Sequence, residues 1–162
     1  MLARLPVLIL LLAACHPGPR AEAPPAPTLG ALEVQTLEGE ATRLATRLAA
    51  RPTLVTLWAT WCESCAEEFP ALARLAPKAE AQGAYVVAIA EGEARETVAG
   101  FVRARDLRYP QLVDERFTVA DAIGARRIPA TLVLDRRGAL VYRGGALDHD
   151  ALAALDAAIA RP

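Results

Sequence analysis

The chain has 162 residues, which is enough for one domain with additional segments. Apolar residues make up 54% of it but aromatic residues only 5%, so we expect a core built mainly from Leu, Val and Ile. The net charge of −1, with acidic and basic residues interleaved, gives no electrostatic reason to expect a nucleic acid as a partner.

Residues 1–14 have the composition of an export signal. A single positive charge, Arg4, precedes the apolar run Leu5–Leu12, which is much shorter than the about 20 residues that a membrane-spanning helix needs. The stretch that ends in Cys15, LAAC, resembles the lipobox of bacterial lipoproteins. That resemblance implies a signal peptide over residues 1–14 and a lipid on Cys15. An ordinary secretory signal with a cysteine there by chance is the alternative.

Residues 15–28 are rich in Pro and Ala and show no apolar periodicity, which is typical of an exposed, semi-rigid spacer. A globular pattern begins at Leu29, so we predict one domain over residues 29–162.

The predicted elements of this domain alternate between strands and helices, which indicates an α/β sheet with helices on both faces. In chain order they are two short strands around a turn at Glu38-Gly39-Glu40, a helical turn (LATRLAA), a buried strand (TLVTLWA), a helix from about Cys62 to Ala81, a second buried strand (AYVVAIA), a helix (EARETVAGFVRARD), a short edge strand (YPQLVD), a short helix closed by Gly124, the strands ATLVLD and LVYRG around a turn, and a last helix with Asp148 as its cap.

The cysteine count bears on where the protein works. The chain has three cysteines, an awkward number for an exported protein because one would lack a partner. If Cys15 carries a lipid, Cys62 and Cys65 remain as the only pair. An oxidising compartment permits a disulfide between them.

The pair Cys62 and Cys65 stands where a buried strand feeds into a helix, in the sequence WATWCESCAEEFP. The first cysteine is therefore expected at a helix N-terminus, where unpaired N–H groups and the helix dipole favour a thiolate, the attacking form in disulfide exchange. Cys65 follows one turn later, within reach of the same sulfur. On this helix Glu68 is predicted on the flank of the buried face, and Glu67 points away from it.

Two other roles for the cysteine pair fit the sequence less well than redox chemistry. A disulfide that closes so small a ring constrains little of the unfolded chain, so a purely structural role explains it poorly. A zinc site needs four ligands, and only His16 and His149 could join the pair. We therefore favour a redox centre and expect neither a metal nor a cofactor.

From about Leu29 to Ala160 the chain resembles the TlpA/ResA-like branch of the thioredoxin superfamily, whose members are membrane-tethered, extracytoplasmic thiol-disulfide oxidoreductases. The motifs that carry the resemblance are LWATWCESCAEEFPAL, YVVAIA with the helix and short strand after it, and ARRIPATLVLDRRGALVYRGGA. The resemblance implies a thioredoxin-like fold. Its central mixed β-sheet is flanked by helices, with an N-terminal β-hairpin and an inserted helix plus short strand.

The resemblance also implies roles for individual residues. Cys62 corresponds to the exposed nucleophile and Cys65 to the buried resolving thiol. Pro129 corresponds to a cis-proline opposite the cysteines, where the Ile128 backbone could pair with an extended substrate segment. The alternative is that Pro129 merely opens a strand in trans.

Glu68 and Trp61 complete the predicted site. Glu68 corresponds to an acidic residue that relays the proton of Cys65, with a solvated helix glutamate as the alternative. Trp61 is expected to shield the disulfide and to form part of the docking surface for substrate, whereas Trp58 is expected in the core.

Departures from the family pattern leave the redox direction open. Ser64 stands where many members have proline and adds a potential hydrogen-bond donor, while Glu63 adds an anion beside Cys62. Thr56 occupies a position where cytosolic thioredoxins carry a buried aspartate. Arg126 and Arg127, just before Ile128, are expected to be solvated rather than functional.

The expected function is thiol-disulfide exchange with proteins of the cell envelope, by a lipid-anchored domain that faces the periplasm or another extracytoplasmic space. The resemblance implies an integral-membrane thiol carrier as electron donor and apocytochrome c as one candidate substrate. Two rivals remain: a peroxiredoxin-like peroxidase, for which Thr60 is too close to Cys62, and a copper chaperone, for which His149 would be the third ligand.

Overall fold

The computed structural model of the protein describes residues 29–161. The predicted signal peptide, Cys15 with its predicted lipid, the predicted spacer and His16 lie outside the described residues. Within residues 29–161, no helix is both long enough and apolar enough to cross a membrane.

Seven strands form one mixed sheet in the order β2-β1-β5-β4-β3-β6-β7. The neighbours β3, β4 and β5 run parallel, and the other pairs are antiparallel. The four central strands are buried along almost their whole length, as expected for apolar strands covered on both faces. The strands are β1 (Glu33–Thr36), β2 (Ala41–Arg43), β3 (Thr53–Trp58), β4 (Tyr85–Glu91), β5 (Gln111–Asp114), β6 (Ala130–Leu134) and β7 (Leu140–Gly144).

Five helices cover the sheet, after a 3₁₀ turn at Leu29–Ala31. They are α1 (Leu44–Leu48), α2 (Glu63–Ala81), α3 (Arg95–Ala104), α4 (Thr118–Ile123) and α5 (His149–Ala160). The predicted cap of the last helix is confirmed, because the Asp148 side chain accepts a hydrogen bond from the Ala151 N–H at 2.8 Å.

Alternate residues of the central strands supply two separate cores, one on each face of the sheet. On β3, Leu54 and Trp58 point into the cluster that holds both cysteines and the buried face of α2. Val55 and Leu57 point into the opposite cluster, which α1 and α4 cover.

The predicted thioredoxin-like fold is confirmed, but the prediction for one strand was wrong. We expected YPQLVD to supply an edge strand, whereas β5 lies inside the sheet between β1 and β4 and all its residues are buried. The N-terminal hairpin, joined to β5 by antiparallel pairing, takes the edge position instead. The sequence of a short strand does not show which other strands will pair with it.

The register of β3 and β6 brings the cysteine motif and the Ile128-Pro129 segment to one edge of the sheet. Leu57, near the end of β3, pairs with Ala130, the first residue of β6. At the other end of these strands Thr53 pairs with Leu134, so the turn after β6 lies at the opposite edge from the cysteines.

Candidate active site at the Cys62–Cys65 pair

Cys62 caps the N-terminus of α2, immediately after the loop that leaves β3. Its backbone is extended, and its sulfur accepts a hydrogen bond from the Cys65 N–H, with an N···S distance of 3.3 Å. Cys62 and Cys65 form a disulfide, and their Cα atoms are 5.3 Å apart. One sulfur is therefore held where unpaired helix N–H groups stabilise negative charge.

The prediction that Cys62 is exposed was wrong for this oxidised form. Cys62 is only 7% exposed and Cys65 1% exposed, and both belong to the core cluster under α2. The disulfide ties the Cys62 sulfur to a buried partner one turn into the helix. Of the two, Cys62 is nevertheless the more accessible.

Of the two residues between the cysteines, Ser64 is the one whose side chain lies near the Cys62 sulfur. Its hydroxyl oxygen lies 3.6 Å from the Cys62 sulfur. A hydroxyl at this distance can donate to a thiolate once the disulfide opens, whereas a proline would provide no donor.

The peptide bond between Ile128 and Pro129 is cis. Pro129 directly precedes β6, and the side chain of Ile128 packs against the core cluster that contains the cysteines. Arg126 and Arg127 precede this segment and are exposed, and they line a shallow cleft of about 350 Å³ beside Pro129.

Glu68 lies one turn after Cys65 on α2 and is half-buried, whereas Glu67 is exposed. Burial raises the pKa of the Glu68 carboxyl above its ordinary value, opposed by the hydrogen bond it accepts from the Leu147 N–H. That N···O distance is 2.8 Å. A carboxyl in this setting holds its proton more tightly than a solvated one.

The two tryptophans divide between core and surface as predicted. Trp58 is buried and packs edge-on against Phe69 of α2, with ring centroids 5.2 Å apart. Trp61, next to Cys62, is 66% exposed. An exposed indole beside a reactive cysteine offers a contact surface to an approaching protein.

Sequence reasoning missed Glu93, which holds the loop before Cys62. Its carboxylate accepts a hydrogen bond from the Thr60 N–H at 2.6 Å and another from the Thr60 hydroxyl. Glu93 follows the end of β4, and Thr60 follows the end of the neighbouring parallel strand β3. Polar residues just after the carboxyl ends of adjacent parallel strands are the signal that could have found this contact.

A second missed feature is the carboxyl pair Glu91 and Asp114, which face each other at the ends of β4 and β5. Asp114 accepts hydrogen bonds from the Thr118 hydroxyl and the Val119 N–H. Glu91 is fully buried and its carboxyl oxygens have no hydrogen-bond partner among residues 29–161. Burial, reinforced by the charge of Asp114, raises the pKa of Glu91 to about 8, while the nearby Ala120 N–H acts in the opposite direction. Glu91 is therefore mainly protonated at neutral pH.

The residues on which the two rival functions depend lie elsewhere or are engaged. The His149 side chain is 94% exposed on α5 beside Asp150. Within the described part of the chain, no three His, Cys, Asp or Glu side chains cluster as metal ligands would. The Thr60 hydroxyl, which a peroxidase would direct at its cysteine, donates to Glu93 instead.

Comparison with known proteins places this site in a family. The model of the AhpC/TSA family matches residues 24–143. The chain belongs to the AhpC/TSA family. One relative, the thiol-disulfide oxidoreductase ResA of Halalkalibacterium halodurans, is 31% identical to this chain over 114 residues. The aligned region covers 69% of this chain and 64% of the relative. The predicted resemblance to ResA-like proteins is thus confirmed.

Solved structures of other proteins share the fold. The exposed lipoprotein thioredoxin Etrx1 of Streptococcus pneumoniae matches with a TM-score of 0.65 and 25% identity, covering 78% of this chain and 98% of that one. A thiol:disulfide interchange protein of the thioredoxin family from Chlorobium tepidum matches with a TM-score of 0.65 and 23% identity, covering 86% and 99%.

The match to the curated relatives is partial in length. The aligned region spans 64%, 58% and 52% of three ResA proteins, from Halalkalibacterium halodurans, Geobacillus thermodenitrificans and Bacillus subtilis. The family and the fold are therefore shared, while activity and partners have to be argued from the site itself.

Proposed function

We propose that this AhpC/TSA-family protein is a thiol-disulfide oxidoreductase that exchanges its Cys62–Cys65 disulfide with cysteines of partner proteins. The observation that carries the proposal is the disulfide at the start of α2, with the Cys62 sulfur at the cap position and accepting the Cys65 N–H. The name shared by the ResA relatives supports the same reaction type.

In the first step the reduced protein attacks a substrate disulfide. The Cys62 thiolate, stabilised by the N-terminus of α2, bonds to one substrate sulfur, and the other substrate sulfur leaves as a thiolate and takes up a proton. The product is a mixed disulfide between Cys62 and the substrate.

In the second step Cys65 resolves the mixed disulfide. Glu68, one turn away, accepts the proton of the Cys65 thiol, and the resulting thiolate attacks the Cys62 sulfur. The bond between Cys62 and the substrate breaks, the substrate sulfur leaves reduced, and the Cys62–Cys65 disulfide forms. Two electrons pass from the protein to the substrate, and the same steps run in reverse when a donor thiol reduces the pair.

Substrate docks on the edge of the sheet that carries the cysteine motif. The exposed Trp61 offers an apolar contact, and the Ile128-Pro129 segment reaches the same edge through the pairing of β6 with β3. An extended substrate strand that pairs with the Ile128 backbone would present its cysteine to Cys62.

The proposed setting is the outer face of a membrane. Residues 1–14 serve as signal peptide, Cys15 bears the lipid, residues 15–28 form the spacer and the thioredoxin-like domain covers residues 29–162. The lipobox-like LAAC supports this arrangement, as does the description of the pneumococcal neighbour as an exposed lipoprotein. Electrons come from an integral-membrane thiol carrier, and substrates are envelope disulfides, with apocytochrome c as one candidate.

Trapping tests the reaction. The Cys65→Ser variant keeps the attacking sulfur but cannot resolve the mixed disulfide. We therefore expect covalent complexes with substrate proteins that are visible on non-reducing gels and disappear on reduction. The Cys62→Ser/Cys65→Ser double variant is the matched control and should trap nothing. If Cys65→Ser accumulates no covalent complex while the wild type is active, the two-step scheme is wrong.

A separate experiment tests the anchor. Cys15→Ser should abolish labelling by a radioactive fatty acid and release the protein from the membrane fraction at high salt. Cysteine exchange by the purified Cys15→Ser variant should be unchanged, so the anchor and the chemistry are tested independently.

A further inference from the structure

A basic cleft lies on the side of the domain away from the cysteines, and the proposed function does not use it. The cleft has a volume of about 670 Å³ and lies between α1 and the turn that joins β6 to β7. Its charged lining is Arg43, Arg51, Arg136, Arg137 and a single acid, Asp135.

The one acidic residue in the cleft, Asp135, offsets only one of these arginine charges. The Asp135 carboxylate accepts the N–H groups of Arg137 and Ala139, at 2.8 and 2.9 Å, and so closes its own turn. Arg161 adjoins the same turn beside Arg137 and adds another cation. The cleft therefore presents an excess of positive charge to whatever approaches it.

The cleft is also where the described chain begins. Gly30 and Ala31, directly after the first described residue, form part of its wall. The preceding residues of the chain, with the proposed lipid on Cys15, therefore join the domain at this cleft. A membrane that holds the lipid is the surface most available to these arginines.

Exposed apolar side chains flank the same turn. Leu140 and Val141, the first residues of β7, are among the few large apolar residues exposed to solvent in the range 29–161. Cations beside exposed apolar groups suit the boundary of a bilayer, where headgroups carry charge and the layer beneath is apolar.

We propose that this basic cleft rests on anionic phospholipid headgroups and holds the domain with its cysteines turned away from the membrane. The inference rests on the proposed lipid anchor at Cys15 only for the choice of a membrane as the binding partner of the cleft. Thr53 at the start of β3 pairs with Leu134 beside the cleft turn, and Trp58 at the other end of β3 leads to Cys62. These strand ends are about 17 Å apart at the usual rise per residue.

Vesicle sedimentation tests the lipid contact. The chain from residue 15 onward, with Cys15→Ser so that no lipid is attached, keeps every described residue. It should sediment with phosphatidylglycerol vesicles at low salt, much less at high salt, and not with phosphatidylcholine vesicles. Equal binding to both vesicles would overturn the proposal, as would full displacement by millimolar inorganic phosphate at constant ionic strength.

Matched arginine variants locate the contact. The side chains of Arg43, Arg137 and Arg161 donate no hydrogen bonds within residues 29–161, so R43Q/R137Q/R161Q should fold normally. Each arginine near an anionic surface strengthens membrane binding about five-fold, so the triple variant should bind vesicles about 100-fold more weakly than the parent. The double variant R137Q/R161Q, expected to lose about 25-fold on the same basis, replaces it if thermal unfolding shows that the triple is impaired.

The control variant removes three positive charges near the edge of the sheet that carries the cysteine motif. R116Q/R126Q/R127Q alters exposed arginines after β5 and before Pro129, and it should bind vesicles within two- to three-fold of the parent, a margin set by long-range attraction alone. Equal losses in the two triple variants would show that only net charge matters and would overturn the proposal.

Trp61 reports the orientation. It is the exposed tryptophan of the two in the chain, and it lies next to Cys62. Bound to phosphatidylglycerol vesicles with a headgroup-level spin-labelled lipid, the protein should keep its exposed tryptophan emission. Strong quenching on binding would place the cysteine edge at the membrane and refute the orientation.

Discussion

The contact between Glu93 and Thr60 gives the sharpest test of how the active-site loop is held. The Glu93 carboxylate accepts hydrogen bonds from both the N–H and the hydroxyl of Thr60, two residues before Cys62. Replacing Glu93 by Ala removes both acceptors. The N–H of Thr60 then loses its partner in a half-buried loop.

The magnitude follows from the two bonds. A hydrogen bond to a charged group contributes about 1.5–3 kcal/mol, and water can reach this loop and compensate in part, so Glu93→Ala should cost about 2 kcal/mol. For a domain of this size that is a fall in Tm of about 8 °C. Glu93→Gln keeps an acceptor oxygen and should lose about half as much.

Urea unfolding with a double-mutant cycle measures the effect. Thr60→Ala removes the hydroxyl only, so its coupling to Glu93→Ala should be about 1 kcal/mol. Glu96→Ala is the matched control, because Glu96 is exposed and its one ion pair within residues 29–161 is with Arg95. It should change stability by less than about 0.5 kcal/mol. A loss at Glu93 no larger than at Glu96, or no coupling to Thr60, would refute the reasoning.

Three further predictions concern buried or confined positions. Glu68→Gln should slow release of substrate from the mixed disulfide about 100-fold, measured by single-turnover stopped flow, and Glu67→Gln on the exposed side of the helix should not. The pKa of Glu91 is about 8 in the folded protein and 4.5 ordinarily, so its ionisation opposes folding. The free energy of unfolding should therefore fall as pH rises from about 4.5 to 8, by up to about 1.4 kcal/mol per pH unit. Glu91→Gln should flatten that decline in denaturant titrations at pH 5, 7 and 9, and an unchanged slope would contradict the assignment. Gly92 and Gly83 both have positive φ, but a Cβ at Gly92 would clash with an aromatic ring whereas a Cβ at Gly83 would meet no atom within 4 Å. Gly92→Ala should therefore lower the free energy of unfolding, measured in urea, by at least about 2 kcal/mol more than Gly83→Ala does.

Much of the fold could be predicted because its signals are local. The apolar run TLVTLWA predicts β3, and the helical spacing after Cys62 predicts α2 with Cys65 inside and Glu67 outside. The position of β5 could not be predicted in the same way. Its place between β1 and β4 depends on pairing with segments far away in the chain.

The candidate site divides along the same line. The cysteine pair, its helix and the cis bond before Pro129 follow from motifs in the sequence and the family resemblance. The partners of the acidic groups do not: Glu93 meets Thr60 across 33 residues, and Glu68 meets the Leu147 N–H across 79.

The sequence by itself therefore determined most of the elements, the cysteine pair at a helix start and the ResA-like resemblance, because periodicity and motif spacing are set by the backbone over a few turns or strands. Only the tertiary structure decided that Cys62 is nearly buried when oxidised, that Glu91 is buried with no hydrogen-bond partner among residues 29–161, and that arginines from separate segments line one cleft. Burial and charge clustering depend on which distant segments pack together, and local sequence carries no direct record of that packing.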